Sequence, residues 1–273
     1  MNAAVDYLVV SHGDAFQAFA DSLLVVLVWI ERGLRGAPPA AVLLAVALLA
    51  LLAGRSLRLA AAMAAVTWLL GGLGLWDQAM QTIAIILVSV GIAVVTGLPL
   101  GVLSARYRPV RAVVVPFLDL MQTIPSFVYL IPAAMLFGLG KVPAILATVV
   151  YAAPPLVRLT DLGIRQVDGA VAEAARAFGA TRGQVLRGVE LPLALPSIMQ
   201  GLNQTTMMAL SMVVIASMIG ARGVGETVLL GLQRGDPGEG FVGGLAIVLL
   251  AIAFDRITQA YGQRLQARRG LQA

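Results

Sequence analysis

Cysteine is absent from the 273 residues, so the chain can form neither a disulfide nor a thiolate metal site. Histidine occurs once, as His12, and a lone histidine near a terminus reads as an interfacial or surface residue rather than a ligand. Lysine also occurs once, as Lys141, so the positive charge is almost wholly arginine. There is no H-E-x-x-H segment and no convincing acid pair within an apolar stretch. No catalytic constellation can therefore be assembled, and we read the chain as a non-enzyme with no metal site. The phosphate-cradling pattern G-x-x-x-x-G-K-[ST] is missing too, so the chain does not itself bind ATP. The first basic residue is Arg32, which leaves no charged start for a cleavable signal peptide.

Charge is scarce as well: 12% of residues are charged while 59% are hydrophobic, and mean hydropathy is +0.91. A soluble domain needs far more polar surface to cover its core. The apolar residues come in long blocks, among them Ala40–Ala53, Ile83–Val95 and Val242–Phe254. Crossing ~30 Å of hydrocarbon takes roughly 20 such residues in a helix. Small and hydroxyl residues within the blocks are tolerated where membrane helices pack together. The expected fold is all-α, a polytopic membrane helix bundle in contact with lipid. The net charge of +5 then marks cytoplasmic loops and not a nucleic-acid partner.

Residues 1–37 carry an apolar stripe at helical spacing (Phe16, Phe19, Leu23, Val26, Leu27, Ile30). The uncharged run Ser22–Ile30 is too short to span, so a helix lying in the interface is expected, with a short first transmembrane helix as the alternative. After Pro38–Pro39, seven spans are expected near 38–54, 57–75, 78–105, 111–137, 142–166, 192–219 and 241–262. The first two (residues 38–76) read as accessory helices ahead of a core at 77–273. Arg55 and Arg58, then Arg106, Arg108 and Arg111, then Arg165, Arg176, Arg182 and Arg187, and finally Arg264, Arg268 and Arg269 all fall on one side if the spans alternate. The positive-inside rule puts that side in the cytoplasm, with the N-terminus outside and the C-terminus inside.

Pro116, Pro125 and Pro132 in the fourth span, and Pro143, Pro154 and Pro155 in the fifth, predict that both are broken helices. Broken helices point to a transport pathway, because freed carbonyls need a neighbour or a wet cavity; the alternative is that prolines are simply common in membrane helices. Gly220–Gly240 is glycine-rich with an apolar run too brief to span, and a short external or partly re-entrant helix is expected there.

The most patterned stretch is the cytoplasmic loop 168–192. Asp168 can cap a helix whose apolar face is Val171, Ala174, Ala175 and Phe178. Gly179 suits a left-handed stop, and Thr181 with Gln184 makes a capping box for a second short helix. The product is a helix–turn–helix with an apolar face and nothing in this chain to cover it.

Here the residues become specific. Glu173-Ala174-Ala175, three residues, Gly179, nine residues, then Val189-Glu190-Leu191-Pro192 resemble the EAA loop of ABC importer permeases, pattern EAA-x3-G-x9-I-x-LP. Val189 in place of isoleucine is the one departure. Asp119–Phe137, Pro154–Val167, Pro192–Ile219 and Gly243–Tyr261 are further similar to glycine betaine/proline betaine importer permeases, the similarity covering roughly residues 77–262. The resemblance implies a type I ABC importer transmembrane domain in a bacterial inner membrane, serving osmoprotection. In that family Glu173, Ala174, Ala175, Phe178, Gly179, Val189, Leu191 and Pro192 would couple the permease to an ABC ATPase, present in two copies. ATP and Mg would sit on that partner. The resemblance also implies a permease homodimer and, since the chain stops at Ala273, a separate periplasmic substrate-binding protein.

For the pathway, the candidates are the polar residues of the broken and late spans: Gln122, Thr123, Ser126, Tyr129, Asn203, Gln204, Thr205 and Ser211. For each one taken singly, interhelical hydrogen bonding is the competing role. Only Phe127 and Tyr129 offer aromatic faces to a methylammonium cation near the break, which places high-affinity recognition on the binding protein. Asp119, Asp161 and Asp255 read as ion-pair or cap residues. Competing functions are an ABC permease for another small solute, such as an amino acid or sulfonate, and an ion-coupled secondary transporter. The latter would want buried acids near mid-membrane, which this chain lacks.

Overall fold

The computed structural model describes residues 2–268, with side chains described from Gly13 to Ala267. His12, Arg268 and Arg269 lie outside the described side chains. Twelve α-helices account for nearly all of the described residues.

After helix α1 (Asn2–Gly36), Pro39 opens α2 (Pro39–Gly54) from its first turn, where a proline's missing N–H costs nothing. Ser56 caps α3 (Leu57–Gly72), its hydroxyl accepting from the Leu59 N–H at 3.4 Å. At 16 residues each, α2 and α3 are about 24 Å long, short of the hydrocarbon thickness, and they pair as a hairpin laid against the last helix.

The core follows: α4 (Trp76–Arg106), α5 (Arg108–Thr123), α6 (Leu130–Phe137) and α7 (Lys141–Arg165). After the loop helices come α10 (Leu191–Ser217), α11 (Val224–Arg234) and α12 (Pro237–Arg268). Of the described residues, α4, α7, α12 and the Gly13–Gly36 part of α1 are long and apolar enough to cross a membrane, and the bent pair α5–α6 makes a fifth candidate. The 27 residues of α10 are not among them, because Gln200, Asn203, Gln204, Thr205 and Thr206 make its first half polar.

Helix α7 is the axis of the bundle, clasped between α4 and α10 and buried on most of its circumference. A Cβ on Gly101 of α4 would sit 2.6 Å from Thr160 Cβ and 2.8 Å from the Val157 carbonyl, so only glycine lets α4 come this close. This clasp explains a difference from the sequence reading. Pro143, Pro154 and Pro155 do not break the fifth span, which runs as one helix from Lys141 to Arg165. Pro143 lies in the first turn, where no intrahelical bond is lost, and the other two are buried between the flanking helices. The fourth span does break. Helix α5 stops at Thr123, Pro125 opens a 3₁₀ turn at Ser126–Tyr129, and α6 leaves at 106° to α5. The break is at Pro125 alone: Pro116 lies inside α5, which continues through it, and Pro132 lies in the first turn of α6, where no intrahelical bond is lost.

Gly220–Gly240 holds the short helix α11, tucked against α10, α12 and α4, with the Val224 N–H donating to Thr82 Oγ1 at 2.9 Å. Helix α1 is continuous through Asp14 and Asp21, so the nine-residue count Ser22–Ile30 understates its apolar length. Leu23 and Leu27 are buried among Ala84, Ile85, Val88, Val142 and Ile145. Glu31 accepts from Lys141 Nζ at 2.6 Å, and Arg35 pairs with Glu31 and Asp77.

Candidate coupling loop and translocation surface

Beyond α7 the chain makes two short helices, α8 (Gly169–Ala177) and α9 (Arg182–Val185). Asp168 Oδ1 accepts from the Ala170 N–H at 2.9 Å and starts α8. Gly179, at φ +84°, ends it, and the N–H groups of Gly179 and Ala180 reach back to the Arg176 and Ala175 carbonyls at 2.8 and 3.1 Å. Thr181 and Gln184 form the capping box: the Thr181 N–H donates to Gln184 Oε1 at 2.7 Å and the Gln184 N–H to Thr181 Oγ1 at 3.4 Å. A π-helical turn at Leu186–Glu190 then leads into α10, with Pro192 in its opening turn.

Ala172 and Val185 are the buried residues of α8 and α9, and they seat the loop on the body of the protein. Val171, Glu173, Ala174 and Phe178 all face away from it, Ala175 is half-buried, and Phe178 is 94% exposed. This apolar face, with its nearly bare phenylalanine, has no cover among the described residues. Val189, Leu191 and Pro192 are half-buried at the junction with α10.

Two residues that motif reading did not single out hold this loop. Arg106, the last residue of α4, donates from Nη2 to the Arg182 carbonyl at 2.6 Å and lies 3.7 Å from Glu190 Oε2. Glu190 is buried, and Arg106 is its ion-pair partner. The sequence signal for Glu190 was its place at the free position of the terminal motif; for Arg106 it was only a basic residue at a span end. Nearby, the buried Asp161 joins Arg165 at 3.0 Å and Arg111 at 3.4 Å, and Asp119 pairs with Arg158. Asp255 instead accepts amide hydrogen bonds from Asn203 at 2.9 Å and Gln259 at 2.6 Å.

The pathway candidates do not form one site. Gln122 and Thr123 are exposed at the end of α5, Ser126 and Tyr129 are half-buried in the break, and Tyr129 donates to the Met121 carbonyl at 2.5 Å. Tyr129 also meets Met212 of α10 in an apolar cluster with Leu130 and Ala147. On α10, Gln204 and Ser211 are exposed, on one stripe with Gln200, which motif reading passed over. Thr205 is fully buried, and Asn203 is turned toward α12 by its bond to Asp255. The surface free to line a passage is therefore α5, the break and the Gln200–Gln204–Ser211 stripe.

An all-helical membrane bundle with a proline-broken span and an exposed EAA-type loop defines a class: the permease subunit of an ATP-driven, binding-protein-dependent importer. Residues 97–268 match the family described as binding-protein-dependent transport system inner membrane component, and the chain belongs to that family. It is thus a multi-pass inner-membrane protein and the non-catalytic part of a transporter that also comprises an ATPase and a substrate-binding protein. It is 44% identical over 265 residues to the glycine betaine/proline betaine transport system permease protein ProW of Escherichia coli (strain K12), spanning 97% of this chain and 74% of that one. It is also 44% identical over 256 residues to the glycine betaine transport system permease protein OpuAB of Bacillus subtilis (strain 168), spanning 93% and 90%. Among solved structures it resembles an inward-facing conformation of the MetNI methionine ABC transporter, with TM-score 0.56, 30% identity and coverage of 68% and 92%.

Proposed function

We propose that this chain forms the translocation pathway of an importer for glycine betaine, proline betaine or a choline-type osmolyte. The observation that carries the solute class is the 44% identity to ProW, which extends over 97% of the chain. Two copies of the chain would face one another across α5 and the exposed stripe of α10, since those surfaces carry polar groups and lack a partner within the protomer. Two ATPase subunits, holding ATP and Mg, would each take one α8 face. On their closure, α8 would act as a lever: Phe178, Ala174 and Ala175 supply apolar contact, Glu173 orients the contact, and Gly179 permits the turn. Val189, Leu191 and Pro192 pass the movement into α10. Binding selectivity would rest chiefly with a separate periplasmic binding protein.

For orientation we propose an N-terminus outside and a C-terminus in the cytoplasm. Phe16 and Phe19 pack on Phe137, just before Lys141, while Glu31 and Arg35 bond Lys141 and Asp77. The C-terminal end of this stretch of α1 thus meets the starts of α4 and α7 and its N-terminal end the last residue of α6, while the support for an outside N-terminus is the placement of the basic loops. The test of function is uptake of radiolabelled glycine betaine and choline by vesicles containing this chain, its ATPase and its binding protein. ATP-dependent uptake of either supports the reading. Uptake of neither, with the ATPase bound and active, would shift the solute to another class, such as the methionine carried by the structurally similar transporter.

A further inference from the structure

Arginines near the ends of the helices divide into two kinds. Arg106, Arg111, Arg158 and Arg165 each lie within 4 Å of a carboxylate. Arg55 and Arg256 have no acidic partner among the described residues. Both open onto one cavity of about 600 Å³ between the α2–α3 turn and the last part of α12.

The cavity is lined on its polar side by Arg55, Ser56, Arg256, Gln259, Gln263 and Arg264, with no aspartate or glutamate. Arg264 is fixed by donating to the Leu52 carbonyl at the end of α2, which ties α12 to the turn. Arg55 occupies the left-handed position that ends α2, at φ +49°, where glycine is usual. It is the one described non-glycine residue with positive φ. Its side chain is among those that line the cavity.

The apolar side of this cavity is Leu59, Ala260 and Ala267, and a second, separate cavity lies further along the same helices. On α12, Ala253, Ile257, Ala260 and Arg264 follow at spacings of three and four and share a face. Ala253 and Ile257, with Leu49 of α2, line that second cavity, an apolar one of about 460 Å³ between α2, α4 and α12. Guanidinium groups beside apolar side chains, on helices that run on into hydrocarbon, are the chemistry of an anionic lipid: phosphate at Arg55 and Arg256 and acyl chains against Leu59, Ala260 and Ala267.

We propose that the groove between the α2–α3 turn and α12, headed by Arg55, Arg256 and Arg264, binds one anionic phospholipid of the inner leaflet per protomer. The leaflet rests on the orientation proposed above; the binding itself depends on neither orientation nor solute. The lipid would fill the seam between the short hairpin and the core, where two 16-residue helices reach only part of the way across the bilayer.

The test is native mass spectrometry of the detergent-solubilised permease–ATPase complex, given equal amounts of phosphatidylglycerol and phosphatidylcholine. One phosphatidylglycerol per permease is expected to be retained at least fivefold over phosphatidylcholine. The double variant R55Q/R256Q is expected to lose that preference, while R58Q, outside the cavity, keeps it. Unchanged melting temperatures identify folded variants; both altered side chains are exposed, so folding should survive. Equal retention of the two lipids, or a preference untouched by R55Q/R256Q, would overturn the proposal. Displacement of the lipid by millimolar inorganic phosphate would also overturn it, reducing the site to one for small anions. Retention by the permease alone, lost once the ATPase is bound, would assign the groove to the ATPase instead.

Discussion

Gly179 and Phe178 sit side by side, and their substitutions should separate two kinds of defect. At φ +84°, Gly179 is in backbone space that costs a β-branched residue at least about 1–2 kcal/mol, yet no atom lies near enough to clash with a new side chain. Gly179→Val should therefore re-aim α8 without unfolding the chain. The expected result is a complex that assembles and hydrolyses ATP but takes up solute at a tenth of the normal rate or less. Normal uptake by that variant would mean that the turn does not transmit motion. Phe178, 94% exposed, contributes little to the fold of the isolated chain. Phe178→Asp should leave the melting temperature of the isolated permease within a degree or two and weaken capture of the ATPase by tenfold or more. Gly179 was legible in the sequence because the motif names it and capping chemistry is local, and Phe178 because it falls on the apolar face of the loop helix. Glu190 was not. Its role depends on Arg106, 84 residues earlier in the chain, and a pairing across that distance leaves no mark in spacing or composition.

Among the elements, prolines misled in one span and informed in the other. Pro125 marks a real break, Pro116 is accommodated inside α5, and Pro154 and Pro155 are carried by the helices on either side of them. The same residue type thus gives opposite outcomes, and proline positions alone do not tell them apart. The contact of α4 with α7 rests on the absence of a side chain at Gly101, where a Cβ would come within 2.8 Å of a backbone oxygen that cannot yield. Gly101→Val should force the helices apart at a cost of about 1–3 kcal/mol, read as a lower melting temperature of the solubilised chain. A second link runs from the end of α4 to the coupling loop through Arg106. Removing its guanidinium strands the buried Glu190 carboxylate and frees the Arg182 carbonyl. Arg106→Ala should accelerate amide hydrogen exchange across residues 182–190 and lower solute moved per ATP. Exchange unchanged in that segment would show that α4 does not brace the loop. Arg106→Lys, keeping a charge without the fork of donors, should restore only part of the protection.

For the whole molecule, charge asymmetry and length argued for a membrane protein, but the number and direction of crossings rest on α1. Its composition over Gly13–Gly36 suffices for a span, while its contacts place Phe16, Glu31 and Arg35 all close to the beginnings of α4 and α7 or the end of α6. The stretch from Phe16 to Arg35 is about 28 Å long at 1.5 Å per residue. A helix normal to the membrane would separate its two ends by the full hydrocarbon thickness, whereas an oblique one can meet outer residues at both. The missing cysteines make this decidable without first clearing a background. A cysteine introduced at Ala15, beside Phe16, and another at Gly13 should react with a membrane-impermeant maleimide added outside intact cells. A cysteine at Gly183, in the coupling loop, should react only after the membrane is opened. If Ala15→Cys and Gly183→Cys were both protected in intact cells and both labelled on permeabilisation, α1 would be a full span and the N-terminus cytoplasmic. The salt bridge from Lys141 to Glu31 would then anchor the outer end of that span, and the helix count would rise by one with every later crossing unchanged.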